Sequence, residues 1–324
     1  MNGSEITVVI PTWNRWELLQ NCLDSLLDQT RVPRILVVDN GSTDGTRENL
    51  RNYYPPVQVL GLTRNLGFAR AVNLGLQRVR TAYVALLNND TVADREWVAA
   101  GLDALHSCPE YGFFASRMLM LQDPSRLDSA GDVYGPTGLP LKRGNGEPAD
   151  RYREREEVLG ASAGAAFYRR ELFQRVGGFD EDFHIYLEDV EWSLRARLFG
   201  YRCLYLPDAV VYHWEAASDP DRSLDGPATA SGAFYSPRRV YWITRNRWQL
   251  MVLYQCWRHA PWLAYGWIRS LTFHLLKAGH AGAFVKGLAA GIRRTPAAIR
   301  KRRRIRRQAQ LTGRELCKLL RTFS

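Results

Sequence analysis

Apolar residues in the first ninety positions fall in short runs separated by amphipathic stretches. "ITVVIP", "RILVVDN", "VQVLGL" and "YVALLN" are rich in β-branched and aliphatic residues and too short for buried helices, so each predicts a strand. Between them, "WELLQNCLDSLLDQ" sets Leu18, Leu19, Cys22, Leu23, Leu26 and Leu27 at helical spacing. "DGTRENLRNYY" and "GFARAVNLGLQRV" read as two further helices, the latter with Phe68, Ala71, Val72, Leu76 and Val79 on its apolar face. Strands alternating with helices predict a parallel sheet with right-handed crossovers.

Each strand exits into polar residues: "PTWNR", "DNGSTDG", "TRNLGFAR" and "NNDT". One such exit is an ordinary turn, because Asn, Asp and Gly suit turn geometry. Four at the carboxyl edge of one parallel sheet predict a ligand site there. The first exit lacks G-x-G-x-x-G, which argues against a dinucleotide fingerprint. Further on, "REWVAAGLDALHSC" reads as a helix, and "DSAGDVYGPTGLPLKRGNGEPADRYRE" as a long, mobile surface loop over the site. "GASAGAA" (160–166) reads either as tight helix packing or as backbone brought close to a ligand.

Composition and length change this picture in four ways. With 324 residues, 46% hydrophobic and 24% charged, the chain has room for one large α/β domain and an appendage. Its five cysteines (Cys22, Cys108, Cys203, Cys256, Cys317) show neither short pairing nor zinc spacing, so a reduced, cytoplasmic protein without structural disulfides is expected. No secretory leader is evident, and no run of 18 uncharged apolar residues exists to span a bilayer. Finally, the net charge of +11 is uneven: residues 236–324 hold 20 Lys and Arg against Glu315 alone, and the first 235 residues are net acidic.

"VVIPTWNR", "LVVDNGSTDGT", "NLGFARAVNLGL", "LLNNDT", "GGFDEDF", "LEDVEWSLRA" and "VVYHWEAAS" occur in one order. Together they resemble the family 2 glycosyltransferases of GT-A fold, in particular the bacterial rhamnosyltransferase-like branch, over about residues 5–250. The resemblance implies an α/β fold with a mainly parallel sheet flanked by helices. Residues 1–235 would form the catalytic domain and residues 236–324 a helical, basic extension. It implies inverting transfer from a nucleoside diphosphate sugar to a hydroxyl of a glycan or lipid-linked acceptor. The leading donor is dTDP-rhamnose, with UDP-galactofuranose, UDP-glucose and UDP-N-acetylglucosamine open.

On the residues, it puts Pro11, Thr12, Asn14 and Arg15 in the nucleotide loop, although Arg15 is equally a surface residue. Asp39, followed by Asn40, would accept the N3–H of the base. Asn65, Gly67 and Arg70 stand where a helix begins, a natural seat for phosphate, while Asn73 reads as structural. Asn88, Asn89 and Asp90 occupy the place of the Asp-x-Asp motif, with Asn88 replacing its first acid. Asp90 and His213 would hold Mg2+ or Mn2+ on the diphosphate. Asp189 would be the general base beside Glu188, and repulsion between the adjacent carboxylates would raise one of the two pKa values. Glu191 reads as a solvent-facing or helix-dipole residue. A sugar-nucleotide pyrophosphorylase would need a Gly-rich basic loop after the first strand, and "PTWNRWE" is not one.

The tail combines an apolar aromatic helix, with Leu263, Trp267, Leu271 and Leu275 on one face and Arg269 opposite, with "RRTPAAIRKRRRIRRQ". Apolar helix plus polybasic patch is a recipe for peripheral attachment to an anionic membrane surface. No nucleic-acid-binding fold accompanies the arginines, so no nucleic-acid partner is expected; a solvated tail and a non-enzymatic adaptor are the competing readings.

Overall fold

A computed structural model describes residues 4–214, 236–276 and 279–323. The end of the "VVYHWEAAS" segment, from residue 215, lies outside them. The strands are β1 (Ile6–Thr12), β2 (Arg34–Asp39), β3 (Gln58–Gly61), β4 (Tyr83–Leu87), β5 (Thr91–Ala93), β6 (Phe113–Met120), β7 (Asp123–Ser129), β8 (Asp132–Tyr134), β9 (Pro140–Lys142), β10 (Glu156–Val158), β11 (Ala165–Arg169) and β12 (Cys203–His213). The helices are α1 (Trp16–Leu27), α2 (Thr46–Tyr53), α3 (Phe68–Leu76), α4 (Trp97–Ser107), α5 (Glu171–Arg175), α6 (Glu188–Leu198), α7 (Pro237–Tyr254), α8 (Ala260–Leu276), α9 (Ala281–Arg293), α10 (Thr295–Gln308) and α11 (Gly313–Thr322).

The sheet runs β10-β12-β6-β11-β4-β1-β2-β3, with β5 paired to β12 and β7 to β6. The four strands expected from the apolar runs are parallel neighbours. β11 then enters antiparallel between β4 and β6, and β12 lies parallel to β6. Alternate strand residues face opposite layers. Val9, Leu36, Val38 and Leu86 join one core with α3 and α6. Val8, Ile10, Val37 and Leu87 join the other with α1 and α4. Burial on both faces is why these strands read as unbroken apolar runs.

The C-terminal helices belong to the first of these cores: Leu250, Leu253 and Tyr254 of α7, Ile305 of α10, and Leu316 and Leu320 of α11 are buried in it. α7 starts at a serine cap, where Ser236 Oγ accepts from Arg239 N at 3.1 Å ahead of Pro237. α11 starts with a Thr312–Glu315 capping box.

Four expectations need correction. The stretch read as a mobile loop forms the β8–β9 hairpin and buries Asp132 and Tyr134. Glu191 is fully buried, paired with Arg195 at 2.8 Å and accepting from Tyr254 Oη at 2.6 Å. The i,i+4 spacing to Arg195 was the available signal, but it reads equally as a solvent-exposed pair; only the hydrogen bond from Tyr254 of α7, 63 residues on, shows that the pair is packed into the core. The apolar face of α8 is split: Leu263 and Trp267 pack inward, while Leu271 and Leu275 are exposed beside Trp262, Tyr265 and Ile268. And Cys256 forms a disulfide with Cys317, against the expectation of reduced thiols. The two are 61 residues apart and meet only because α11 folds back onto the end of α7. Cys22, Cys108 and Cys203 are free.

Thiol titration of the denatured, unreduced protein is therefore expected to count Cys22, Cys108 and Cys203 only. Reduction beforehand should add Cys256 and Cys317. A full complement of thiols without reductant would contradict the bond.

Candidate active site

A cavity of ≈ 370 Å³, within the usual range of small-molecule pockets, opens at the carboxyl edge of β1 and β4. Pro11 and Thr12 line it from the end of β1, Asn65 and Gly67 from the start of α3, and Asn88, Asn89 and Asp90 from the exit of β4. Glu188 and Asp189 enter from the first turn of α6 and His213 from the end of β12. The structure thus brings together the chemically active residues expected from the sequence.

The remaining candidates stand behind this lining and tie its loops together. Asn14, at a left-handed φ of 59°, accepts from Thr43 N through Oδ1 at 2.9 Å, joining the first two strand exits. Arg15, at φ 62°, opens α1. Asn40 is buried; its Nδ2 donates to Asn65 Oδ1 and Gly67 O, and its Oδ1 accepts from Leu66 N at 2.8 Å. Asp39 is fully buried, accepting from Ser42 N at 2.8 Å and paired with Arg47 at 2.6 Å. Arg70 is exposed and 3.7 Å from Glu181. Asn73 bonds Phe179 through both ends of its amide, the structural part expected of it.

His213 is the hinge of the site's electrostatics. Its Nε2 lies 3.4 Å from Asp90 Oδ1, and its Nδ1 is bonded to Asp128 Oδ2 at 3.0 Å. Burial disfavours its charge, but Asp128 and Asp90 outweigh burial and push its pKa up to about 10. Asp128 is itself buried; burial opposes its ionisation, yet Lys142, at 2.7 Å, and His213 hold it well below the usual carboxylate range. A carboxylate on the far nitrogen of a histidine is the support that metal-ligating imidazoles typically have.

The donor set fits a divalent cation. Asp90 and His213 would hold it. Among the described residues no cluster of three His, Cys, Asp or Glu is assembled, but a cation shared with substrate phosphates needs few protein ligands. Buried acceptors on three lining residues, Asn88 Oδ1, Asp132 Oδ2 and Glu188 Oε2, have no hydrogen-bond partner. Such atoms are costly unless a ligand or ion engages them.

The acidic pair is held differently. Asp189 accepts from Val190 N at 2.8 Å and from Ala163 N at 3.2 Å. Burial raises its pKa despite those bonds. Burial, and then the Asp189 charge, raise Glu188 well above its usual value. Ala163 comes from "GASAGAA", where the tight helix packing is seen directly and other residues border the cavity. A Cβ on Gly160 would lie 2.4 Å from Ser193 of α6, while Ser162, Ala163 and Gly164 line the cavity.

The sequence reasoning missed several lining residues: Trp13, Asp132, Lys142, His184, Arg238 and Arg239. Asp132 and Lys142 ride on the hairpin mistaken for a loop. Burial, and then the Asp189 charge, raise the Asp132 pKa well above normal. The acids of "LDSAGD" were the available signal, set in an otherwise small-residue run.

The fold and this edge site define a GT-A-type glycosyltransferase fold. A mannosyltransferase of Pyrobaculum calidifontis, solved with GDP-Man and Mn2+, matches 99% of this chain and 86% of its own at 18% identity, with a TM-score of 0.53. Staphylococcal (S. aureus) TarS 1-349, solved with UDP-GlcNAc, matches 98% of this chain and 90% of its own at 20% identity, with a TM-score of 0.54. The family is given by sequence. The model of Glycosyl transferase family 2 matches residues 7–177. An N-acetylglucosaminyl-diphospho-decaprenol L-rhamnosyltransferase of Mycobacterium tuberculosis is 30% identical over 275 residues, 76% of this chain and 89% of that protein. The chain belongs to glycosyl transferase family 2 and is rhamnosyltransferase-like.

If His213 gives up a proton when a cation binds, Mn2+ affinity should rise with pH below about 10, up to tenfold per unit. Calorimetry with Mn2+ and dTDP is expected to show this proton release. Asp90→Ala and His213→Ala should each weaken Mn2+ binding at least about tenfold. Unchanged Mn2+ affinity in both would place the cation elsewhere.

Proposed function

We propose that the protein is an inverting, metal-dependent glycosyltransferase. It moves rhamnose from dTDP-rhamnose to a hydroxyl of a lipid-linked cell-surface glycan precursor. The observation that carries this reading is one cavity lined both by Asp90 and His213 and by Asp189 and Glu188. The lipid-linked substrate and rhamnose named for the mycobacterial relative support this donor and acceptor. The Mn2+ in the archaeal mannosyltransferase supports the cation.

The chemistry follows from the residues. A divalent cation held by Asp90 and His213 would supply positive charge to the leaving diphosphate. Asp189 takes the proton of the acceptor hydroxyl as that oxygen attacks the anomeric carbon from the face opposite the diphosphate, which inverts the centre. Its raised pKa makes it a stronger base than an exposed aspartate. Asn65 and Gly67, at the start of α3, border the phosphates. Asp39 remains the candidate for the base N3–H; its carboxylate still has acceptor capacity beyond Ser42 and Arg47.

Residues 1–235 carry the reacting groups in this proposal, and residues 236–324 attach the protein to the inner face of the cell membrane. Support comes from the exposed Trp257, Trp262, Tyr265 and Ile268, and from Arg300, Arg303, Arg304 and Arg307 on α10, all exposed. No helix among the described residues is long and apolar enough to cross a membrane. Interfacial aromatics with basic side chains fit an anionic bilayer surface.

Asp189→Asn is expected to lower transfer about 10²–10⁴-fold while leaving dTDP affinity within about twofold. In wild type, transfer should fall as pH drops through a value above the usual aspartate range. Near wild-type turnover by Asp189→Asn with the true acceptor would remove Asp189 from the role. Thermal-shift screening of dTDP, UDP and GDP, with and without Mn2+, tests the donor base: stabilisation by GDP alone would exclude dTDP-rhamnose.

For the membrane, replacing Arg303, Arg304 and Arg307 with Glu should release the protein from phosphatidylglycerol vesicles at low salt and leave its melting temperature nearly unchanged. Truncation is the wrong instrument here, because it strips Ile305, Leu316 and Leu320 from the core. Sedimentation of the triple variant with vesicles as efficiently as wild type would refute electrostatic attachment.

A further inference from the structure

The first turn of α6 carries both acids, yet nothing in its own sequence explains how it is aimed. No side chain caps the helix. The chain enters it through His184, Tyr186 and Leu187, at φ of 63°, 67° and 68°, in the left-handed region that bulky L-residues avoid. A segment in that state persists only when its surroundings over-determine it.

The surroundings come from α7. Asn246 is fully buried, and its Nδ2 donates to the carbonyls of Phe183 and Ile185, both at 2.9 Å, and of Tyr186 at 2.8 Å. An amide nitrogen has two hydrogens, so three acceptors share them and one of the bonds is three-centred. The orientation of the amide is settled by its other end: Asn246 Oδ1 accepts from Arg245 Nη1 at 2.6 Å. An arginine cannot accept, so the oxygen must face it. Arg245 also donates through Nη2 to Asp182 O at 2.7 Å. Two adjacent residues of α7 therefore hold the carbonyls of Asp182, Phe183, Ile185 and Tyr186, the whole approach to the acidic turn.

We propose that Asn246, oriented by Arg245, is a positioning residue for catalysis: it holds the left-handed entry so that Asp189 and Glu188 face the cavity. This rests on the reading of Asp189 as the base. It also extends the functional unit beyond the residues 7–177 matched by the family model, to a side chain that is not itself part of the cavity lining but holds the carbonyls of two lining residues, Ile185 and Tyr186.

Asn246→Ala is expected to lower turnover of dTDP-rhamnose about 10–100-fold, the range that misplacing a reacting group by about an ångström produces. The KM for dTDP-rhamnose and the affinity for dTDP with Mn2+ should stay within about twofold of wild type. Deuterium exchange should accelerate at the amides of 183–190 and remain unchanged in β1 and β4. In an Asp189→Asn background the same substitution should add almost nothing, because both changes act through one carboxylate. Asn246→Ser, which keeps one hydroxyl donor, should fall between wild type and alanine in both exchange and turnover.

Wild-type turnover and wild-type exchange in Asn246→Ala would overturn the proposal. So would a parallel loss of dTDP affinity and of protection throughout the sheet, or failure of both variants to fold, since each assigns Asn246 to stability alone. If Asp189→Asn proves active, the base is misassigned, whereas the exchange at 183–190 still reports on whether Asn246 holds the entry.

Discussion

A buried carboxylate in an apolar core is tolerable only with a partner, and the pairing of Glu191 fixes how the two halves of this molecule meet. Arg195 reaches it within α6, Tyr254 reaches it from α7, and Arg195 also donates to the carbonyls of Val176 and Gly178. Removing either charged partner would strand an ion, at a cost of about 3–5 kcal/mol. Glu191 lies three residues after Glu188, so the helix anchored in this way is the one that presents the acids. The anchor at one turn and the Asn246 clamp at the preceding loop, both furnished by α7, leave the first turn of α6 little freedom.

The parallel half of the fold was legible because three of its strands, β1, β2 and β4, are buried on both faces and write nearly unbroken apolar runs, whereas β3 is a half-exposed edge strand. The edge site was legible because parallel strands deliver their exits to one side. Asp90, His213 and the Glu188–Asp189 pair were singled out through the order of their segments, and the fold sets them on one cavity. What escaped the reading depends on contacts between distant positions. Asp39 reads as an open carboxylate until Arg47 is seen against it. The hairpin bearing Asp132 and Lys142 reads as a loop because glycine and proline hide its short strands. Cys256 and Cys317 have no spacing that announces a bond.

The basic tail divides into two populations. Lys301 pairs with Asp180 and Asp182, Arg294 pairs with Asp182 at 3.0 Å, and Arg302 donates to the carbonyls of Val252 and Gln255. Lys301 and Arg294 dock α10 against the acid-rich segment ahead of α6, and Arg302 docks it against the end of α7. The neighbouring Arg300, Arg303, Arg304 and Arg307 face outward. A count of charge along the sequence cannot separate the two sets, because only the helix phase against the core distinguishes them.

Gly67 and His184 offer a last consequence. A Cβ on Gly67 would come within 2.3 Å of the His184 ring, which is stacked on Trp242 at 4.7 Å and so cannot easily retreat. Gly67 also takes a φ of 88° that other residues resist. Positions 67 and 184 are therefore locked in evolutionary order. A lineage could enlarge residue 67 only after residue 184 had shrunk, and the reverse sequence of steps would pass through an intermediate with overlapping atoms.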